Sequence, residues 1–338
     1  HQDVIDSLRV MMRIQEQNGP RACHRFIISN CRGMIDIAAV IGLARMAGVW
    51  QQMELDVVPL FETIDDLANA QSEMKLMYGH STYRNHLGTR ADKQTVMLGF
   101  SDGTKDGGYL QANWSIYQAK RRLTQLSRSA GVTVLFFDGR GGPPARGGGN
   151  THRFYASLGS DIENTEIQTT IQGQTISSNF GIPKSAGFNL ELLLTAGLQS
   201  RLFDDPQTEL SDEQSDLMEE LARLSHAHYE KLKAHPQFMP YLSTRGTLKY
   251  YGETNIGSRP TSRAKKGELT FGDLRAIPFV GSWTQLKQNV PGFFGLGCAL
   301  AHLDSAGRLQ EATELYANNS FFRALVENSM QSMVKSDF

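Results

Sequence analysis

Cysteine is scarce in this sequence: Cys23, Cys31 and Cys298 are the three in 338 residues. An odd number without C-x-x-C spacing excludes a disulfide framework and a zinc knuckle, so they read as reduced, partly buried thiols. No apolar run nears the roughly 18 residues of a membrane span. The opening His-Gln-Asp-Val-Ile-Asp lacks the basic-then-apolar plan of a signal peptide. A cytoplasmic location and no membrane partner are therefore expected. Charge of one sign is missing too. Lys and Arg number 34 against 35 Asp and Glu, giving a net charge of −1 and a pI near 6.8. The chain has no general field for nucleic acid, and any polyanion site must be local.

Familiar catalytic signatures are absent as well. H-E-x-x-H and G-x-S-x-G do not occur, which sets aside zinc-protease and serine-hydrolase chemistry. His226 and His228 form H-x-H, but positions two apart on a helix point in different directions and make a poor metal pair. No P-loop is present, and Pro144 stands where a dinucleotide fingerprint would need its last glycine. RGG occurs, yet only twice and after an apolar run, unlike the repeated RGG of RNA-binding tails.

What is present is a repeating unit of short apolar run, polar end and helix-like segment. The runs are RFIISN (25–30), DVVPLFE (56–62), TVMLGFSD (95–102), TVLFFD (133–138), TEIQTTIQG (165–173), TNIGSRP (254–260) and LRAIPFV (274–280). They are too short for helices and too continuously apolar for one-sided strands, which predicts buried parallel strands. Helices are expected over 35–48 and 114–131, the latter with Ile116, Ala119, Leu123 and Leu126 on one face. Another starts at Ser211, where SDEQ has the capping-box form, and stops before Pro236. The pattern fits a doubly wound sheet or a (β/α) barrel, and polar residues gathered after strand ends favour the barrel. No linker divides the chain.

Taken in order, those strand ends carry Glu62; Asp102 with Lys105 and Asp106; Asp138 with Arg140 and Arg146; Arg259; and Arg275. Parallel neighbours would bring them to one rim. Carboxylates suit a hard divalent cation such as Mg2+ or Mn2+, and guanidiniums grip phosphate or carboxylate with paired donors. Lys105 stands among glycines as an electrostatic group or a Schiff-base lysine, and its acidic neighbours favour the first. The stretch FFDGRGGPPARGGGN releases six glycines, two prolines and two arginines directly after an apolar run. Glycine lets backbone approach a ligand closely, and such a loop could bend as a lid.

Together the motifs resemble phosphoenolpyruvate carboxylase. The matching stretches are RFIISN, PLFETIDDL, VMLGFSDGTKDGG, FFDGRGGPPARGGGNTH, TIQGQTISSNFG, NIGSRP and LRAIPFVGSWTQ, in the family's order over residues 25 to about 290. The resemblance implies a mostly helical α/β protein round a (β/α)8-type barrel, incomplete here, with residues 1–338 as a single C-terminal portion. It implies carboxylation of phosphoenolpyruvate by bicarbonate to oxaloacetate and phosphate. Glu62 and Asp102 would be the ligands of Mg2+ or Mn2+, Lys105 would neutralise charge, Arg140 would face the transferring phosphoryl group, and Arg259 and Arg275 would hold the phosphate. Arg146 and Lys335 match residues that bind an acidic inhibitor such as aspartate or malate, and the whole enzyme would be a homotetramer.

Two departures stand out. Asp138 occupies a position where the family commonly has His, and pairing with Arg140 or Arg146 is the expected way to hold its charge. The family's T-A-H-P-T motif, assigned to proton handling, occurs nowhere in these residues. The chain alone is therefore expected not to turn over. A phosphate-handling lyase using Lys105 covalently and a non-catalytic metabolite-binding module are the alternatives.

Overall fold

The computed structural model describes residues 2–203, 205–251 and 270–337. They form two compact units, each assembled from three stretches of chain. The first comprises His1–Leu98, Ala119–Asp138 and Glu163–Gln168; the second comprises Gly99–Gln118, Gly139–Ile162 and Thr169–Phe338.

In the first unit the chain runs α1 (Gln2–Asn18), β1 (Arg25–Ile28), α2 (Met34–Met46), β2 (Asp56–Phe61), α3 (Ile64–Gly79), α4 (Ser81–Thr89) and β3 (Lys93–Gly99). After α5 (Phe100–Gly107) and α6 (Tyr109–Ser129) it returns as β4 (Thr133–Gly139) and, past α7 (Thr151–Ala156), as β5 (Ile167–Thr169). The strands lie in the order β1-β2-β3-β4-β5. β1 pairs parallel with β2 in the register Arg25↔Asp56 and Phe26↔Val57, and β2 pairs parallel with β3 through Leu60↔Met97 and Phe61↔Leu98. Sequential parallel strands need crossovers, and the helices between them supply these. Val57, Val58, Val96, Leu98 and Val134 are buried from the strands, with Ile37, Val40, Met74 and Leu123 from the helices. α3 begins at a full capping box between Thr63 and Asp66, which satisfies two end donors reciprocally.

The second unit is nearly all helix. Beyond α7 it runs α8 (Gln174–Phe180), α9 (Pro183–Leu202), α10 (Asp212–Lys233), α11 (Phe238–Thr244), α12 (Leu248–Tyr251), α13 (Ala276–Gln285), α14 (Leu296–Ser305), α15 (Leu309–Asn318) and α16 (Ser320–Val334). Aromatic rings knit its core: Trp114 stacks on Tyr117 at 5.5 Å and Tyr117 on Phe321 at 4.4 Å. The buried Trp114 indole donates to Glu219 at 2.6 Å. A second cluster joins Phe238, Leu242, Phe279 and Trp283. Among the described residues no helix is long and apolar enough to cross a membrane.

Five of the seven expected strands are present, and the Ser211–Gln214 capping box opens α10. TNIGSRP lies outside the described residues, and LRAIPFV is a correction, because it enters α13 at Ala276. Pro278 falls in the first helical turn, where a missing N–H breaks no intrahelical bond. TVMLGFSD is also shorter as a strand than expected: β3 stops at Gly99, and Asp102 sits in the first turn of α5. All three cysteines are free, and burial pushes the Cys31 thiol up to about 12.

His86 gives the first unit a pH response. Its ring lies 4.6 Å from that of Trp50, and burial, followed by the Arg90 guanidinium, holds the imidazole below its usual 6.5. Asp56 opposes this shift without reversing it. The unfolded chain then binds more protons just below pH 6.5, so stability falls as pH drops through that window. Thermal melts between pH 7 and pH 5 should fall more steeply for the wild type than for His86→Gln; equal slopes would contradict this.

Candidate anion site on the second unit

Of the residues singled out from sequence, the second unit holds Asp102, Lys105, Asp106, Arg140, Arg146, Arg275 and Lys335. α5, the turn Pro144–Arg146 and α13 pack on one another, and they carry Asp102 and Lys105, the glycine-rich loop, and Arg275. α5 presents Asp102 in its first turn and Lys105 in its last. The Lys105 ammonium sits 4.3 Å over the Phe271 ring, and Lys233 approaches the same ring at 5.2 Å. Lys233 also donates to the Asp106 carbonyl at 2.6 Å, while the Tyr229 hydroxyl donates to the Lys105 carbonyl at 3.2 Å. Sequence reasoning missed Lys233, which reads there as one more cation on the charged helix α10.

The glycine-rich loop is closed on itself. Gly141 N–H donates to the Arg146 carbonyl at 2.6 Å, Gly148 to Pro143 at 2.9 Å and Gly149 to Gly142 at 3.2 Å. Pro144, Ala145, Gly147 and Gly148 are buried. The lid expected from sequence is, in this structure, a folded and packed turn. Gly147 adopts φ 77°, a left-handed conformation suited to glycine, and its carbonyl accepts from Arg140 Nε.

Arg140 is the centre of this arrangement. It is 3% exposed, and its guanidinium carbon lies 4.4 Å from the Phe154 centroid, 5.1 Å from Tyr155 and 5.6 Å from Phe100. Thr170 Oγ1 donates to its carbonyl at 2.6 Å. Three aromatic faces offset part of the cost of burying a charge. Nη1 and Nη2 are nonetheless buried without a hydrogen-bond partner among the described residues. A buried cation with unused paired donors is suited to an oxyanion, because carboxylate and phosphate match the guanidinium fork.

Other expected residues are placed differently. Arg146 Nε donates to Ser101 Oγ at 3.2 Å and its Nη2 to Gln172. Asp138, in the first unit, is bound by Lys120 of α6, Nζ to Oδ2 at 2.8 Å, a partner that the sequence reading did not name. Glu62, also in the first unit, directly follows β2 and accepts from Asn30 N–H at 3.0 Å through Oε2. Arg259 lies outside the described residues. Lys335 is exposed and lines a hollow of about 600 Å³ with Pro143, Thr175, Asn179 and Lys287, whereas Arg146 is not part of that lining. Lys287 was not singled out from sequence and gives this hollow a second cation. His226 pairs with Glu230 at 3.1 Å, as suits a surface helix.

Among the described residues no group of three or more His, Cys, Asp or Glu is arranged to hold a metal. Each of Glu62 and Asp102 offers carboxylate oxygens, the donor type that a hard divalent ion takes; Glu62 lies in the first unit and Asp102 in the second.

In sequence, the chain is similar to known proteins of one family. The phosphoenolpyruvate carboxylase family profile matches residues 1–338. A phosphoenolpyruvate carboxylase of Corynebacterium diphtheriae is 38% identical over 94% of this chain and 36% of its own length. Those of Roseiflexus castenholzii and Chromobacterium violaceum are each 37% identical, over 99% and 96% of this chain. The chain thus spans little more than a third of the length of these relatives, 36–37%. With the motifs in order and the match running from end to end, the chain belongs to the phosphoenolpyruvate carboxylase family.

Proposed function

We propose that this chain provides the phosphoryl-binding part of an enzyme that carboxylates phosphoenolpyruvate with bicarbonate to oxaloacetate and phosphate. The observation that carries the reading is Arg140, a buried guanidinium with Nη1 and Nη2 left for an oxyanion. The five sequential strands are proposed as part of a (β/α)8 barrel, the whole enzyme as a homotetramer, and its location as cytoplasmic.

In this reading Arg140 grips the phosphoryl group as it passes from the enol oxygen to bicarbonate, giving carboxyphosphate and the enolate of pyruvate. Lys105 and Arg275 lie on helices packed together, and with Arg259 they offset the charge of the phosphate and the enolate. Carboxyphosphate then releases carbon dioxide and phosphate, and the enolate carbon attacks the carbon dioxide to form oxaloacetate. The aromatic collar of Phe100, Phe154 and Tyr155 keeps water from the guanidinium and strengthens its hold on the anion. Glu62 and Asp102 would hold Mg2+ or Mn2+, which supplies Lewis-acid stabilisation of developing oxygen charge when bound. The Lys105 ammonium above Phe271 gains from being charged, which favours its electrostatic role over Schiff-base chemistry. The hollow at Lys287 and Lys335 is proposed to take an acidic metabolite such as aspartate or malate.

The test is calorimetric titration of the 338-residue chain with phosphoenolpyruvate, with and without Mn2+, beside a coupled oxaloacetate assay. Binding enhanced by Mn2+ without turnover is expected, since no T-A-H-P-T histidine lies in these residues. Normal turnover would refute the assignment of proton handling to that motif. Absence of phosphoenolpyruvate binding would refute the anion site.

A further inference from the structure

Asp138 and Lys120 are 1% and 2% exposed, which makes them an unusual pair. The Lys120 Nζ lies 2.8 Å from Asp138 Oδ2 and 5.1 Å from the Phe136 ring centroid. Phe136 and Asp138 are two apart on β4, so both side chains leave the strand on the same face, the one that meets Lys120 of α6. On α6, Lys120 falls four residues after Ile116 and three before Leu123, in the middle of the apolar stripe. A cation at such a position is costly unless an anion answers it, and the reverse holds for Asp138.

We propose that Lys120 is a positioning residue that commits Asp138 to the fold. The carboxylate at the carboxyl end of β4 is locked between strand and helix, and it neither gives a proton to substrate nor takes one. Any chemistry at this strand end then falls to Arg140, two residues further along the chain, without help from an acid or base at 138. The functional arm of this inference rests on the carboxylase reading; the structural arm does not.

A double-mutant cycle tests it, with Lys120→Gln, Asp138→Asn and the double variant followed by urea unfolding of the 338-residue chain. Each single variant takes one charge from the buried pair and is expected to shift the folding equilibrium toward the unfolded state by roughly 10²- to 10³-fold. The double variant should regain most of that loss. Singles that fail to fold beside a double that folds support the pairing equally. Additive losses, or a double variant that also fails to fold, overturn the pairing.

The functional arm uses the catalytically competent enzyme carrying the same substitutions. The single variants should lower kcat without changing the shape of the pH–rate profile, and the double should recover kcat. Loss of one limb of the profile in Asp138→Asn, not recovered in the double, would show that Asp138 handles a proton and would overturn the inference. If the unaltered enzyme makes no oxaloacetate, the carboxylase reading fails, and the urea cycle still decides on the pair.

Discussion

Arg140→Met is expected to lose phosphoenolpyruvate binding while the chain stays as stable as the wild type or becomes more so. The two effects have opposite signs because they come from the same buried charge. In the free protein the guanidinium has one hydrogen bond, from Nε to the Gly147 carbonyl, and three aromatic neighbours, while Nη1 and Nη2 find no partner among the described residues. Methionine fills much of the same volume, keeps contact with the rings of Phe100, Phe154 and Tyr155, and removes the unpaired charge. Exchanging a buried ion for a packed apolar side chain is often neutral or stabilising, here by about 0–2 kcal/mol. With an oxyanion bound, the same exchange removes a buried charge pair, at a cost of roughly 2–5 kcal/mol, or about 30- to several thousand-fold in affinity. Titration calorimetry and the urea midpoint read the two effects separately. Loss of both affinity and stability would make Arg140 a structural residue and would remove the observation on which the functional reading stands.

Much of this was legible in sequence, and the exceptions have identifiable causes. The strands were visible because buried parallel strands are continuous apolar runs, and TVLFFD and DVVPLFE leave little choice of structure. The α10 start was visible because a capping box is a local, four-residue signal, and Ser211 and Gln214 make it as expected. α13 was misread because a short apolar run is ambiguous between strand and helix, and Arg275 at its N-cap donates no side-chain capping signal. The helical state of Asp102 and Lys105 was hidden by Gly103 and Gly107, which disfavour a helix that tertiary packing nevertheless forms. For the site, Arg140 was found by its motif, but its aromatic collar was not, since Phe100 and Phe154 lie 40 and 14 residues away in the chain. Lys120 carried a readable signal, a cation on an apolar stripe, yet its partner could be known only once α6 was laid on β4. Arg146 was assigned by position alone, and position does not tell which way a side chain turns: it faces Ser101 and Gln172.

Gly148→Ala should have the largest effect of any single-methyl substitution in the glycine-rich loop. A Cβ at this position would run into the Gly142 carbonyl oxygen, which already accepts the Gly149 N–H at 3.2 Å. Both partners are backbone, so no side-chain rotation relieves the clash, and the bonds Gly148–Pro143 and Gly149–Gly142 must lengthen together. The expected cost is about 1–3 kcal/mol of stability, the range of overpacking in a closed site. Opening the loop also withdraws the Gly147 carbonyl from Arg140 Nε, which frees the guanidinium to turn away from its aromatic seat. Phosphoenolpyruvate affinity should therefore fall by roughly 10- to 100-fold, the worth of one charge-assisted hydrogen bond. Gly42→Ala is the matched control, because nothing lies within 4 Å of a Cβ there and the residue is inside helix α2. That substitution should add up to about 1 kcal/mol through helix propensity and leave affinity unchanged. If Gly148→Ala instead behaves like Gly42→Ala in both urea unfolding and calorimetry, the loop is not closed as described, and the support it lends to Arg140 goes with it.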